Sequence, residues 1–358
     1  MFVAIRDLRF AKGRFALMGA VVILITLLVG LLSGLTAGLG RDNTSAITEL
    51  PGDHIVFSAP PADQDISFAD SVVGEQLWDA WAETQGVTAA TPLGISTVQA
   101  SGPGRTTAVT AFGVPIGSRP APDALVPAEV VLTEGAAQQL EAHAGDQVDL
   151  GGTSFTVAAV SGDASYSHTP VVWTTIEDWQ SFGHGAHDDG GGATVLSITT
   201  TTRTNLAAAD AQHGTRTVST QDALAAIGSF QAENGSLQLM RGFLFVISAL
   251  VIGAFFTVWT IQRSADIAVL KALGAATGYL LRDALGQALL VLLAGTAIGT
   301  GLAVGLGALV EGSIPFVLDP ATVAVPAAVT IALGAVGAAL SVRRITSVDP
   351  LTALGSAR

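Results

Sequence analysis

The sequence predicts an α-helical membrane protein with four transmembrane helices and a large α+β extracellular domain inserted between helices 1 and 2. Three observations carry this expectation. Hydrophobic residues make up 49% of the 358 and charged residues only 13%, a balance far from that of a water-soluble globular domain. Four stretches carry no charge: Phe15–Gly40, Gly242–Gln262, Ala284–Val310 and Pro320–Val342, of 26, 21, 27 and 23 residues. Each meets the roughly 20 residues that an α-helix needs to cross a bilayer. Between the first two lies the long segment Arg41–Leu239, enough for one or two folded subdomains.

The basic residues orient the helices, because Lys and Arg favour cytoplasmic flanks. Arg6, Arg9, Lys12 and Arg14 precede helix 1, Arg263, Lys271 and Arg282 lie between helices 2 and 3, and Arg343, Arg344 and Arg358 follow helix 4. Both termini are therefore expected inside the cell. The layout reads as a cytoplasmic segment (1–14), helix 1 (15–40), the extracellular domain (41–239), helix 2 (240–262), a cytoplasmic segment (263–283), helix 3 (284–310), a short extracellular loop (311–319), helix 4 (320–342) and a cytoplasmic tail (343–358). The first run is about twice the length of a secretory signal core and lacks a convincing cleavage site, so a retained helix is expected.

Charge separates the parts further. Residues 41–238 hold 5 Arg and 23 Asp or Glu, a net of −18, so the remainder sums to +5 and the overall −13 is a property of the extracellular segment. Such acidity excludes a nucleic-acid surface, which needs clustered Lys and Arg. With no cysteine, that segment must rely on its own core rather than on disulfides. Short β-branched runs at Asp53–Ala59, Thr107–Val114, Gln147–Gly162 and Ala193–Thr201 read as strands, and Gly151–Gly152 between two such runs is a hairpin signal. Ser71–Gln85, Thr133–Gly145 and Thr220–Met240 carry helical spacing, with Thr133 and Thr220 as N-cap candidates. Thr220–Met240 is expected to run unbroken into helix 2 as a stalk. Val114–Pro127 and Gly183–Gly192 read as loops.

The chain has no Gly-Lys-Ser/Thr phosphate loop, since its two lysines sit in "AKGR" and "LKAL", and so it does not bind ATP by that route. It also lacks a serine nucleophile elbow, a His-Glu-x-x-His zinc motif and any charged residue deep in a span that would suggest an ion relay. No catalytic residue, no resident metal and no intrinsic cofactor are expected. Glycines recur every fourth residue at Gly30, Gly34 and Gly38 on helix 1, and at Gly295–Gly299 and Gly301–Gly305 on helix 3. Each ridge permits close backbone approach, within the subunit or between two copies.

One cytoplasmic segment stands out. "RSADIAVLKALGA" (Arg263–Ala275), followed by a glycine-rich third helix and the closing "VRRITSVDPLTAL" (Val342–Leu354), resembles the permease subunit of MacB/FtsX-type ABC transporters, and the resemblance covers the whole chain. It implies that this segment is a short coupling helix docking onto a separate cytoplasmic ATPase, with Arg263, Asp266, Lys271, Leu273 and Gly274 at the contact. The family usually has Glu where Asp266 stands. The resemblance also implies a homodimeric permease with two ATPase subunits, on which ATP and Mg would reside. The family's cargoes range over lipoproteins, macrolides, antimicrobial peptides and heme, and some members only relay force to cell-wall hydrolases. "AIRDLRFAKGRFALMG" (Ala4–Gly19), "LSGLTAGLGRDNTSAI" (Leu32–Ile47) and "GDASYSHTPVVW" (Gly162–Trp173) are most similar to actinobacterial permeases of the HrtB type, which expel heme.

Heme as cargo would need a ligand to iron and a cation for the propionates. An amphipathic cargo dissolved in membrane lipid enters laterally near the outer ends of helices 1 and 2, which makes Arg41, Glu233, Met240 and Arg241 candidates. Met240 offers a soft ligand beside Arg241 as propionate partner, against the reading of a packing sulfur beside an interfacial anchor. Tyr166 and His168 are a second pair, set against an ordinary polar turn. His184, His187, Asp188 and Asp189 have metal-like spacing, but their glycine-rich surroundings read as a solvated loop.

Overall fold

Lys12–Thr48 form one 37-residue helix, α1. It outruns the uncharged stretch at its C-terminal end, so that Arg41, Asp42 and Asn43 are helical. The computed structural model describes residues 12–182, 191–262, 269, 273–310 and 314–343. The chain divides into two units, Leu39–Asn234 and the combination of Met1–Gly38 with Gly235–Arg358.

The inserted unit follows the order β1 (His54–Ser58), β2 (Val73–Gly74), α2 (Glu75–Ala82), β3 (Val87–Ser101), β4 (Thr106–Val114), β5 (Glu129–Leu132), α3 (Glu134–Leu140), β6 (Gln147–Leu150), β7 (Thr153–Val160), β8 (Ser165–Tyr166), β9 (Thr169–Thr175), α4 (Ile176–Phe182), β10 (Gly192–Ala193), β11 (Val195–Thr200), α5 (Leu206–His213), β12 (Thr215–Ser219) and α6 (Thr220–Ala223). A ten-stranded sheet has the order β12-β1-β11-β3-β4-β9-β5-β7-β6, with β8 on β9, while β2 and β10 pair apart. The β4–β9 and β5–β7 pairs are parallel and most others antiparallel. The 15-residue β3 is the spine: its first half pairs with β11, its second with β4, and its last two residues with β6.

Strand alternation sorts side chains into two cores. On β1, Val56 joins one cluster with Trp81, Leu140, Ile176 and Trp179. Ile55 and Phe57 join the other, with Phe112, Tyr166, Leu224 and Ile227. The second cluster also takes Ala46, Ile47 and Leu50, so the last turn of α1 is part of this unit's core.

The expected strands are all present, and the Gly151–Gly152 pair makes the β6–β7 hairpin with Leu150 opposite Thr153. Both glycines have positive φ, 60° and 93°, as a two-residue type I′ turn requires. Three readings are corrected. Thr220–Met240 is not continuous: α6 passes into a 3-10 turn at Leu224–Ala226, and Ile227 turns to φ −78°, ψ 115° before a new helix begins at Phe230. The reason is burial, because Ala223, Leu224, Ala226 and Ile227 are all drawn into the core, which a straight stalk would not allow. The N-cap of α6 is Ser219, whose hydroxyl accepts from the Asp222 amide. Thr133 stands at the N-terminus of α3 without a capping bond and donates instead to the Val171 carbonyl at 2.8 Å.

The second unit contains α7 (Phe230–Gln262, from Gly235 on), α8 (Thr277–Val310) and α9 (Pro320–Arg343) together with α1 up to Gly38. These are four helices long and apolar enough to cross a membrane. They share one cluster that includes Met18, Val22, Ile252, Phe256, Trp259, Leu292 and Ala338. Phe15 and Phe256 meet Trp259 edge-on at 6.2 and 6.3 Å between ring centroids. Between α7 and α9, Ser341 Oγ lies 2.9 Å from Thr257 Oγ1 and donates to the Gly253 carbonyl at 3.1 Å.

The glycine ridges divide. A side chain at Gly30 would meet Ala303, one at Gly34 the ring of Phe316, and one at Gly38 the Pro315 backbone. At Gly295 it would strike Val22, and at Gly299 the backbone of Ile23 and Leu27. Those five glycines are spent inside the subunit, packing α1 against α8 and the 314–316 segment. Gly301 and Gly305 have nothing within 4 Å.

Candidate functional site

The polar run Gly40–Ser45 ("GRDNTS") continues α1 into the inserted unit, and the first turn of α7 lies in the same unit. The tip of the β8–β9 hairpin meets both. Tyr166 pairs with Thr169 across a two-residue turn whose central residues, Ser167 and His168, have φ of 48° and 63°. A type I′ turn asks for φ > 0 at both positions and favours Asn-Gly. An ordinary L-residue there costs about 1–2 kcal/mol.

Tertiary hydrogen bonds hold this turn in place. The Ser167 and His168 amides donate to the carbonyls of Asn43 (2.9 Å) and Asp42 (3.3 Å). Ser45 Oγ accepts from the Ser165 amide at 2.8 Å and donates to the Ser165 carbonyl at 3.2 Å. The imidazole of His168 lies between two carboxylates, with Nδ1 3.2 Å from Asp42 Oδ2 and Nε2 2.7 Å from Glu233 Oε2. Asn43, buried at 2% exposure, points Nδ2 at Glu233 Oε2 (2.9 Å), His168 Nε2 (3.2 Å) and Ser229 Oγ (3.3 Å). Desolvation pulls the His168 pKa down, but the hydrogen bonds to Glu233 and Asp42 and the charges of those carboxylates outweigh it, and the net shift is upward.

The expected residues are placed as follows. His168 and Glu233 touch. Arg41 is one residue away in sequence from Asp42 but turns to Glu49 (3.2 Å) and Asp163 (3.3 Å). Tyr166 is a core residue, its ring 5.8 Å from both Phe68 and Phe112, and burial pushes its hydroxyl pKa up. Met240 and Arg241 belong to the other unit, where Met240 is 51% exposed. Arg263, Asp266 and Lys271 lie outside the described residues, as do His184, His187, Asp188 and Asp189. Near the end of the 263–275 stretch the Leu273 amide donates to the Val269 carbonyl at 3.0 Å, and Gly274 takes φ 89°, a left-handed conformation that favours glycine. Leu273 is 79% exposed. Among the described residues no group of three or more His, Cys, Asp or Glu is placed to hold a metal ion.

Sequence reasoning missed Asp42, Asn43, Ser45 and Ser229. The signal was there in part, since "RDNTS" puts five polar residues directly after an apolar run. That Asp42, Asn43 and Ser45 face a hairpin more than a hundred positions away is a tertiary fact.

Two domain families match this architecture. Residues 15–226 match the MacB-like periplasmic core domain, and residues 239–350 match the FtsX-like permease C-terminal domain. The chain is therefore an ABC transporter permease of the MacB/FtsX type, a membrane protein with an extracellular domain between its first and second helices. It belongs to the family defined by the MacB-like periplasmic core domain, with the FtsX-like permease domain completing it. As an ABC permease it works with an ATPase partner. A putative hemin transport system permease protein HrtB from Staphylococcus haemolyticus is 26% identical over 363 residues, covering 99% of this chain and 99% of that protein. Its counterpart from Staphylococcus epidermidis is 32% identical over 142 residues, 40% of this chain and 41% of that protein. The periplasmic region of MacB from Actinobacillus actinomycetemcomitans aligns at 12% identity and a TM-score of 0.35, over 48% of this chain and 90% of that one.

Proposed function

We propose that this permease exports heme from the membrane, driven by ATP hydrolysed on a separate cytoplasmic subunit. The observation that carries the reading is the end-to-end similarity to a protein named as a hemin transport permease, over 99% of both chains. The assembly is two permeases with two ATPases, both permease termini lie inside the cell, and the cargo arrives from membrane lipid rather than through a central pore. The coupling segment around Arg263, Asp266, Lys271, Leu273 and Gly274 receives the ATPase stroke. Closure of the ATPase pair then shifts the outer ends of the first two helices and expels cargo from the outer leaflet.

Of the cargo candidates, Met240 and Arg241 are the pair we retain. Met240 is the thioether on a half-exposed helical surface, a soft ligand to heme iron, and Arg241 beside it suits a propionate. His168 and Glu233 are committed to each other and to Asp42 and Asn43, and the Tyr166 ring is packed in the core.

A strain lacking the gene, grown in graded hemin and complemented with wild type, Met240→Ala or the double variant Asp266→Ala/Lys271→Ala, tests this. Wild type should restore tolerance, the double variant should not, and Met240→Ala should restore it in part. Hemin tolerance that is the same with and without the gene would sink the heme reading. A chaining or cell-shape defect in its place would favour force relay to a cell-wall hydrolase.

A further inference from the structure

We propose that the β8–β9 hairpin is a proton-dependent latch, in which the His168 imidazolium ties the α1 and α7 ends of the extracellular unit to one hairpin tip and loss of its proton loosens that tie. A carboxylate oxygen only accepts hydrogen bonds. His168 places Nδ1 3.2 Å from Asp42 on α1 and Nε2 2.7 Å from Glu233 on α7, so both contacts are hydrogen bonds only if both ring nitrogens carry hydrogen. That species is the imidazolium. A neutral ring has a single N–H: a bare Nδ1 points its lone pair at Asp42, and a bare Nε2 points its own at Glu233 Oε2, with Asn43 Nδ2 at 3.2 Å as a donor beside it.

The neighbours limit what changes. Asn43 Nδ2 donates to Glu233 Oε2 in either state, so α1 and α7 keep one direct link when the ring is neutral. What is lost is one imidazole contact, to Asp42 on α1 or to Glu233 on α7, while the Ser167 and His168 amides and the Ser45–Ser165 bonds keep the hairpin on α1 in either state. Ser229 and Ser45 are neutral. Among the described residues, the other charged groups beside the cluster are Arg41 on α1, engaged with Glu49, and Asp163 on the loop before β8, which also takes Arg41. The turn itself favours release, because Ser167 and His168 are both non-glycine residues held at positive φ. Its two amide bonds to α1, the two Ser45–Ser165 bonds and the imidazole contacts are what oppose that strain. The site is also open to protons, with the His168 side chain 33% exposed.

The direction of the pH effect follows from linkage. The His168 pKa is raised in the folded protein, so the latch is fully closed at pH below the free value of about 6.5 and opens as pH climbs through the raised value. The latch does not rest on heme being the cargo. It concerns the parts of α1 and α7 in the extracellular unit, and any cargo or force that moves those ends would feel it.

Hydrogen exchange on the full chain in lipid nanodiscs, across a pH series and normalised to intrinsic amide rates, reads the latch at residues 163–171. Protection there should fall above the His168 midpoint, about tenfold for each unit by which the latched pKa exceeds the free one. His168→Gln should remove the pH dependence of this peptide. Protection that does not change with pH in wild type, or a dependence that survives in His168→Gln, would overturn the proposal. Should His168→Gln not fold, imidazole C2-hydrogen exchange gives the His168 midpoint directly. It should lie above the ordinary 6.5 in wild type and drop towards it in Asp42→Asn. A wild-type midpoint at or below the ordinary value, or one that Asp42→Asn leaves in place, would likewise refute it.

Discussion

The two units of this chain are held together by different physics. In the extracellular unit Trp81, Phe57, Phe112, Leu140 and Trp179 are all at 0 or 1% exposure, and removal of apolar area from water is the main force that folds it. In the membrane unit only 22, 28, 33 and 22% of the four apolar windows is buried inside the subunit. Lipid tails are as apolar as leucine, so burying leucine gains little there, and the helices associate where small residues let backbones approach. Hence Gly30, Gly34, Gly295, Gly299, Gly334 and Gly337 sit at close approaches in that unit, beside the cluster around Phe256 and Leu292, while Leu24, Leu28, Phe243 and Leu250 stand more than half exposed. Leucine therefore reads differently in the two units: Leu132, Leu140 and Leu150 are fully buried in the extracellular one, while in the membrane one Leu292 packs in the shared cluster and Leu24, Leu28 and Leu250 stand exposed.

Four substitutions sharpen that contrast. The largest expected effect is in the extracellular unit, where Trp179→Ala should cost about 3–5 kcal/mol, transfer loss and cavity together. Urea unfolding followed by a core probe in that unit would measure it, and a loss below about 1 kcal/mol would mean the site collapses around the missing ring. In the membrane unit the harmful change is the reverse, small to large. Gly299→Leu drives a side chain into the Ile23 and Leu27 backbone, which cannot step aside as a flexible side chain would, and should cost about 1–3 kcal/mol or more. Gly305→Leu, with nothing within 4 Å, should be tolerated. Thermal melting of both in detergent makes the comparison; equal behaviour would break the account of where the ridges are used. The smallest effect belongs to Arg41→Ala. Arg41, Glu49 and Asp163 are 47, 51 and 63% exposed, and pairs of that kind are worth about 0–1 kcal/mol. Its melting difference from wild type should vanish in high salt.

Much of the architecture could be read in advance. An uncharged run of 21 to 27 residues specifies a membrane helix because the bilayer sets its length without reference to any other part of the chain. The Gly151–Gly152 hairpin was legible for a similar reason: a two-residue turn is decided by backbone sterics at those two positions. Arg263–Ala275 reads as a family motif, and of the ATPase contacts that resemblance implies the described residues include Leu273 and Gly274.

The candidate site was legible as a set of residues and not as a site. His168 and Glu233 were each singled out as cargo ligands, yet they are 65 residues apart in sequence and turn out to be partners of one another. Asn43, 125 residues from His168 and 190 from Glu233, carried no sign of its role, because an asparagine on a helix reads the same whether it is solvated or buried. The break at Ile227–Ser229 was hidden for the converse reason. Helical spacing runs straight through it, and only the pull of Ala223, Leu224, Ala226 and Ile227 into a distant core bends the chain there.

What this sequence determined by itself was whatever depends on a contiguous stretch and its solvent: which segments are long and apolar enough to enter lipid, how many, and where one hairpin turns. Tertiary structure alone decided which glycine faces are spent within the subunit, where the stalk breaks, and that an imidazole sits between two carboxylates from two helices. Those outcomes depend on pairings between residues far apart in the chain, whose energies no local pattern of polarity or spacing records.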